Sequence, residues 1–175
     1  MTTTPNRQFK NICVLSGFNY GKHKEFVEAA IDLCRSIAER KLHLVYGGCN
    51  RVLSKLVSEA AFVKGSQVLG IIPRALKPLG SLSDSQTGEE LIVSGMQERI
   101  TEMLNHTAAF IFLPRDLTTL ETLITLASWA HLHIHQEPIV YRSEPDAWTF
   151  VLERLNNDGN SSRSKKYELD LTLRL

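Results

Sequence analysis

The sequence predicts an α/β protein with a Rossmann-like, doubly wound parallel sheet and helices on both faces. Short apolar runs suited to fully buried strands alternate along the chain with longer stretches in which apolar residues recur at helical spacing. Crossovers between parallel strands are almost always right-handed, so such an alternation winds helices onto both faces of one sheet. Two of the apolar runs also end in strand-to-helix turns of the kind that bind phosphate.

The first half of the chain contains strands joined by helices. In chain order the pattern predicts a strand at 11–15, a helix at 25–40, a strand at 42–46, a helix marked by Leu53, Leu56, Val57 and Ala60, and a strand at 68–73. The helix at 25–40 is amphipathic, because its apolar residues share one stripe and Lys24 and Glu28 lie elsewhere. Pro73 ends the third strand, since proline lacks the N–H that a sheet requires.

The second half continues the alternation after a loop. Residues 77–90 contain several serines, Gly80 and Asp84, which predict a loop before the apolar residues 91–93. Helix resumes at Met96, and its apolar stripe consists of Met96, Ile100, Met103 and Leu104. The remaining predicted elements are a strand at 110–113, a helix from about 118 to 133, a strand at 138–141 and a helix at 147–155.

The composition is that of an ordinary globular domain. The chain has 175 residues, of which 43% are hydrophobic and 22% charged. Its net charge of +1 gives no electrostatic reason to expect nucleic acid or a membrane surface as a partner. Residues 1–7 lack the order of a secretory signal, and no segment holds about 18 uninterrupted apolar residues. We therefore expect an intracellular protein, located in the cytoplasm, the nucleus or both.

Cysteine and histidine positions predict neither a disulfide nor a metal site. Cys13, Cys34 and Cys49 fall in a strand, a helix and a loop pattern, without metal-ligand spacing. His131 and His135 are spaced like metal ligands, but no further ligand is evident, and histidines at a helix end also suit the helix dipole. We expect no metal and no other cofactor.

The two strand-to-helix turns combine phosphate-loop positions with bulky residues. Glycines allow backbone N–H groups at a helix start to approach an anion closely. The first turn keeps Gly47-Gly48 but continues with residues 49–52, Cys-Asn-Arg-Val, and the second reads Arg115-Asp116-Leu117-Thr118 after Pro114. These substitutions predict weakened phosphate binding, although Arg51 and Arg115 are able to hold a phosphate in another way.

The chain resembles the LONELY GUY (LOG) family, once described as lysine decarboxylases, in the order of the segments GFNYGK, VYGG, VLGIIP, MQERITEM, FIFLP, TLE and SWAHLHIHQEP. The resemblance covers residues 8–156, which we expect to form a LOG-like Rossmann domain, with 157–175 as a flexible tail. It implies a homodimer that cleaves the N-glycosidic bond of cytokinin nucleoside 5′-monophosphates. The products of that reaction are the free base and ribose 5-phosphate.

The family's motifs, PGGxGTxxE and a preceding MxxRK, assign roles to residues of this chain. The resemblance implies that Arg99 and Glu121 are catalytic. It implies that the substrate and its phosphate are bound by Gly47, Gly48, Thr118, Thr119 and Ser128.

Several motif positions depart from the family's pattern. The lysine that follows the arginine is Ile100, the signature glycines are Arg115, Asp116 and Thr118, and the second glutamate is Thr122. Cleavage of an N-glycosidic bond builds positive charge on the ribose, which a carboxylate stabilises while it orients water. Threonine cannot do this, and Glu121 lies about 100° away around the helix. β-Branched Val52 and Thr118 also predict a steric conflict if those positions need positive φ or close approach.

We therefore expect a LOG-family protein whose hydrolase activity is weak or lost. One alternative is an active cytokinin riboside 5′-monophosphate phosphoribohydrolase that uses Arg99 with Glu121. Another is a nucleotide sensor that binds through Arg51 or Arg115 without hydrolysis. If the protein is active, a cytokinin nucleotide is its substrate.

The tail alternates leucine with polar residues at Leu169, Leu171, Leu173 and Leu175. A period of two places these leucines on one face of an extended segment. The pattern resembles the LxLxL (EAR) repression motif that TOPLESS-type corepressors bind. The alternatives are an edge strand added to the chain's own domain and a tail that frays.

Met96, Met103, Phe110, Phe112 and Trp129 lie on apolar stripes or strands and are predicted core residues. A dimer face is the alternative for the same set. In the family the helices carrying MxxRK and following the signature build the subunit interface. We expect a homodimer, or a heterodimer with a LOG relative.

Overall fold

Six strands and four α-helices make up the part of the chain that the computed structural model describes, residues 11–16, 24–48, 52–77, 87–113 and 117–141. The strands are β1 (Asn11–Ser16), β2 (His43–Tyr46), β3 (Val68–Pro73), β4 (Glu89–Val93), β5 (Ala109–Leu113) and β6 (Ile139–Tyr141). The helices are α1 (Lys24–Glu39), α2 (Val52–Val63), α3 (Met96–His106) and α4 (Leu117–His131), with a short 3-10 turn, Arg74–Leu76, after β3.

All six strands are parallel and lie in the order β4-β3-β2-β1-β5-β6. β1 is central, and its Cys13 pairs with Val45 of β2 on one side and Phe110 of β5 on the other. The chain moves outward in one direction from β1 to β4 and in the other from β5 to β6, so the winding reverses between β1 and β5. The predicted Rossmann-like, doubly wound sheet is confirmed.

Each face of the sheet is covered by its own pair of helices. Alternate residues of β1 point to opposite faces, so Ile12 and Val14 pack with α1 and α2, while Cys13 and Leu15 pack with α3 and α4. The helical side chains of the first core are Ala30, Leu33, Cys34, Ile37, Val57 and Ala61. Those of the second core are Ile100, Met103, Leu123 and Leu126.

The predicted core residues differ in how far they are buried. Met103, Phe110 and Phe112 are fully buried within the chain, so they do not form a dimer face. Ile100 is also buried in the chain's own core, beside Met103. Trp129 packs against this core from its edge, and Met96 is half-buried.

Three helices end in the same hydrogen-bonded motif, and two of these ends lack glycine. After α1, Lys41 N–H donates to Ala38 O at 2.9 Å and Leu42 N–H donates to Ile37 O at 3.0 Å. This is a Schellman motif, which requires positive φ at its pivot residue. Gly65 supplies it after α2, whereas Lys41 (φ 54°) and His133 (φ 59°) supply it after α1 and α4.

The motif at His133 corrects one predicted boundary. The helix predicted to run to about residue 133 ends at His131, because His133 has left-handed backbone and Ile134 N–H returns to Trp129 O at 2.9 Å. The apolar residues 91–93 are a strand, which begins two residues earlier, at Glu89. The predicted helix at 147–155, most of the predicted loop at 77–90 and the tail lie outside the described residues. Within those residues, no helix is long and apolar enough to cross a bilayer.

Replacement of Lys41 by glycine is expected to stabilise the fold by about 0.5–1 kcal/mol, because glycine removes the left-handed strain but is more flexible in the unfolded chain. Lys41→Ala keeps the Cβ and is the matched control. Urea denaturation of both variants and the parent chain measures the difference. A Lys41→Gly protein no more stable than Lys41→Ala contradicts the expected strain.

Candidate functional site at the carboxyl edge of the sheet

The turn after β2 lies directly against β3. Gly48 has φ +70°, and a Cβ placed on it would lie 2.8 Å from Ile72 Cβ. A Cβ on Gly70 of β3 would in turn lie 3.1 Å from Gly48 Cα. Glycine is therefore required at position 48 both by its backbone conformation and by the contact with β3. The turn is followed by α2, which begins at Val52.

Arg99 joins this turn from α3, on the opposite face of the sheet. Its side chain is only 7% exposed, and its Nε–H donates to Ile71 O at 3.1 Å. Its Nη2 donates to Gly47 O, also at 3.1 Å. Of the predicted site residues, the structure thus brings Gly47, Gly48 and Arg99 together.

The start of α3 fixes where Arg99 enters the sheet. Gly95 caps the helix, and Arg99 N–H donates to Gly95 O at 3.0 Å as the first turn closes. Ser94 N–H donates to the Glu98 carboxylate at 2.6 Å, and the Ser94 hydroxyl donates to the same oxygen. These two bonds, the hydroxyl's first, hold the pKa of the Glu98 carboxyl below its ordinary value. The negative charge of an acidic residue in the first turn also interacts favourably with the helix dipole.

The buried thiol near Arg99 is not a nucleophile. Burial raises the pKa of Cys13 to about 12, and the positive charge of Arg99 only partly opposes this. Burial also raises the pKa of Cys34 to about 12, and its Sγ–H donates to Val57 O at 3.4 Å. Both thiols therefore stay protonated at neutral pH. Cys49 lies outside the described residues.

The positions of the family's signature motif on α4 lie on different sides of the helix. Thr119 and Thr122 are buried, and the Thr122 hydroxyl donates to Thr118 O at 3.0 Å. Glu121 and Ser128 are on the exposed side, and Thr118 is half-buried. Thr118 lies within α4 and Val52 begins α2, and neither has positive φ, so the strain predicted on that ground is absent. Arg51, Arg115 and Asp116 lie outside the described residues.

A pair of hydroxyl groups at the carboxyl edge of the sheet was not predicted from the sequence. Ser16 Oγ at the end of β1 lies 3.0 Å from Ser54 Oγ in the first turn of α2. Ser16 pairs with Leu113 of β5, at the point where the winding reverses and where open α/β sheets bind ligands. The available signal was a polar residue at the carboxyl end of a buried strand.

Of the histidines near the end of α4, His131 and His133 are exposed, and His135 has structural contacts. His135 is buried, its Nε2 lies 2.8 Å from Leu126 O, and its Nδ1 lies 3.1 Å from a Glu137 carboxylate oxygen. In the described ranges, no three His, Cys, Asp or Glu side chains come together as a metal site.

The reversal between β1 and β5, the glycine turn after β2 and the buried arginine define a Rossmann-like α/β protein with a candidate ligand site at the carboxyl edge of its sheet. The family model "Possible lysine decarboxylase" matches residues 54–166. The chain belongs to this family, the LOG family.

Curated plant relatives support the same assignment. Cytokinin riboside 5′-monophosphate phosphoribohydrolase LOG5 of Arabidopsis thaliana is 42% identical over 163 residues, which cover 91% of this chain and 71% of the relative. LOG3 of Arabidopsis thaliana, which carries the same enzyme name, is 41% identical over 75% of this chain and 61% of its own length.

Solved structures with the same fold are more distant in sequence. The molybdenum cofactor binding protein of Rippkaea orientalis has a TM-score of 0.61 and 15% identity, covering 86% of this chain and 99% of that chain. The molybdenum cofactor carrier protein of Chlamydomonas reinhardtii has a TM-score of 0.56 and 15% identity, with 85% and 86% covered. At such identities the likeness shows the fold alone.

Proposed function

We propose that this protein binds cytokinin riboside 5′-monophosphates, the compounds in its relatives' names, and hydrolyses them weakly or not at all. The substrate class is supported by identity of about 40% to phosphoribohydrolases across most of the chain. It is also supported by the retained Gly47-Gly48 turn and Arg99, which lie together at the ligand-binding edge of the fold.

The loss of activity rests on the residue at position 122. The family's second glutamate is replaced by Thr122, which is 2% exposed and whose hydroxyl is occupied by Thr118 O. A threonine hydroxyl carries no negative charge, so it cannot stabilise an oxocarbenium-like ribose or orient water as a carboxylate does. Removal of one such preorganised contact typically lowers the rate by about 10²–10³.

An active enzyme is the alternative, and Glu121 is the residue on which it depends. Its side chain is on the exposed side of α4, one residue from Thr122 and about 100° around the axis. For Glu121 to act, the substrate has to reach the outer side of α4. A sensor that binds without hydrolysis is the third hypothesis, and it relies on Arg51 or Arg115.

We also propose that two copies, or one copy and a LOG relative, associate through the outer face of α4. Leu117 and Ile124 are 84% and 60% exposed, and Leu120 lies between them on the same stripe. Beyond the helix end, Leu132 and Ile134 are also exposed apolar side chains. Apolar surface of this extent on one face favours a protein partner.

The alternating leucines of the tail support a second kind of partner. We propose that residues 169–175 bind a TOPLESS-type corepressor as an extended peptide with all four leucines on one side. This interaction requires no hydrolysis. It thus gives a weakly active or inactive LOG protein a role in recruitment.

Hydrolysis is tested with isopentenyladenosine 5′-monophosphate and LOG5 of Arabidopsis thaliana as the active reference. We expect kcat/KM of this protein to be lower by about 10²–10³ or more, because at least one transition-state contact is missing. Thr122→Glu is expected to raise the rate about tenfold or more. Thr125→Glu is the matched control, because Thr125 also donates to the carbonyl four residues earlier, at 2.9 Å. A rate within tenfold of the reference contradicts the proposal.

Self-association is tested by sedimentation velocity on the double variant Leu117→Lys, Ile124→Lys. We expect the parent protein to sediment as a dimer and the variant as a monomer, because burial of each apolar side chain contributes roughly 1.5–3 kcal/mol. Phe62→Lys is the control, since Phe62 is 54% exposed on α2, at the other face of the sheet. A monomeric parent protein rules out self-association through this face, and failure to form a mixed dimer with LOG5 rules out the heterodimer.

Corepressor binding is tested by pull-down with the N-terminal domain of a TOPLESS protein. The full chain is expected to be captured, whereas a version ending at Lys166 and the variant Leu171→Ala, Leu173→Ala are not. Asp170→Ala with Thr172→Ala changes the opposite side of the extended segment and is expected to leave capture unchanged. Equal capture of the full and shortened chains eliminates the motif.

A further inference from the structure

The Arg99 guanidinium connects β3 to the turn after β2 through backbone carbonyls that lie just past the last residue pair of these strands, Tyr46 and Gly70. Nε–H donates to Ile71 O in β3, and Nη2 donates to Gly47 O, one residue beyond the end of β2. A guanidinium is planar and holds its N–H groups in a fixed fork, so two bonds from one group set the distance between their acceptors. Because Arg99 is buried, these bonds are little weakened by water.

The contact with Arg99, and not the backbone conformation, explains why position 47 is a glycine. Among the described glycines, positive φ occurs at Gly48, Gly65 and Gly88, and Gly47 is not one of them. A Cβ on Gly47 would collide with Nη2 of Arg99. The nearest atom outside that guanidinium is Leu15 Cδ2 at 3.9 Å, an ordinary van der Waals distance. The constraint on position 47 therefore comes from Arg99, whose guanidinium has to move from its two hydrogen bonds to admit a side chain there.

We propose that Arg99 is a positioning residue that holds the Gly47-Gly48 turn against β3, and that Gly47 is needed to admit its guanidinium. This role goes beyond contact with a substrate, because it uses backbone acceptors that are present whatever residue occupies position 122. It predicts that Arg99 matters even when nothing is hydrolysed. Its importance for ligand binding, by presenting the turn to a phosphate, rests on the proposed function.

A double-mutant cycle tests the steric half of the proposal. Gly47→Ala is expected to lower the melting temperature in the parent chain but to cause little further loss when combined with Arg99→Ala, because the vacated space accepts the methyl group. Gly65→Ala is the control: its positive φ strains alanine although a Cβ there meets no atom within 4 Å, and it lies after the last turn of α2, so its loss is expected to add to that of Arg99→Ala. Additive losses for Gly47→Ala and Arg99→Ala overturn the proposal.

Amide hydrogen exchange of Arg99→Lys tests the positioning half and covers the case in which Arg99→Ala does not fold. Lysine keeps the charge but lacks the fork, so exchange in the peptide that contains Gly47 and Gly48 is expected to accelerate at least tenfold, while α1 keeps its parent rate. Arg74→Lys, at an exposed arginine of the 3-10 turn, is the control. Unchanged exchange in the turn, or equal acceleration in α1, overturns the proposal.

Calorimetry with isopentenyladenosine 5′-monophosphate separates this proposal from the proposed function. If the parent chain binds the nucleotide, Arg99→Lys and Gly47→Ala are both expected to weaken binding at least tenfold, and unchanged affinity counts against the positioning role. If the parent chain does not bind it but the cycle is non-additive, the positioning role is supported and the proposed ligand alone is rejected.

Discussion

A buried guanidinium that donates to β3 and to the turn after β2 is the interaction on which the candidate site depends. The carboxyl edge of a parallel sheet leaves carbonyl groups beyond the last ladder bonds, and buried carbonyls need donors. Arg99 supplies them to Gly47 and Ile71 from a helix on the opposite face. The same contact links α3, β3 and the turn before α2, so the geometry of the edge depends on all three elements.

The two cores make this contact geometrically possible. Alternation along β1 directs Cys13 and Leu15 toward α3 and α4, and Arg99 enters beside them from the first turn of α3. Its charge lies close enough to oppose the burial that raises the pKa of Cys13 to about 12. A buried cation without acceptors is strongly unfavourable, and backbone carbonyls offer acceptors that substitution of neighbouring side chains does not remove.

Much of this fold was predictable because buried parallel strands are continuous apolar runs. The strand predicted at 11–15 is observed at Asn11–Ser16, and the helix predicted at 25–40 is observed at Lys24–Glu39. The end of α4 was mispredicted, since His133 takes a left-handed backbone that sequence patterns assign to glycine. The family resemblance predicted Arg99 and Gly47 as site residues, but it did not predict their contact or the role of Ile71. Any residue has a backbone carbonyl, so a contact through that group cannot be recognised from residue identity.

The absence of a carboxylate at position 122 does not affect the contacts of Arg99. A helix turns about 100° per residue, so moving a carboxylate from position 122 to 121 carries it from the buried side of α4 to the exposed side. Arg99 is different, because its acceptors at Gly47 and Ile71 do not depend on α4. Under the proposed function, a substitution at position 122 therefore removes a catalytic group while the turn and the sheet edge that Arg99 holds stay in place.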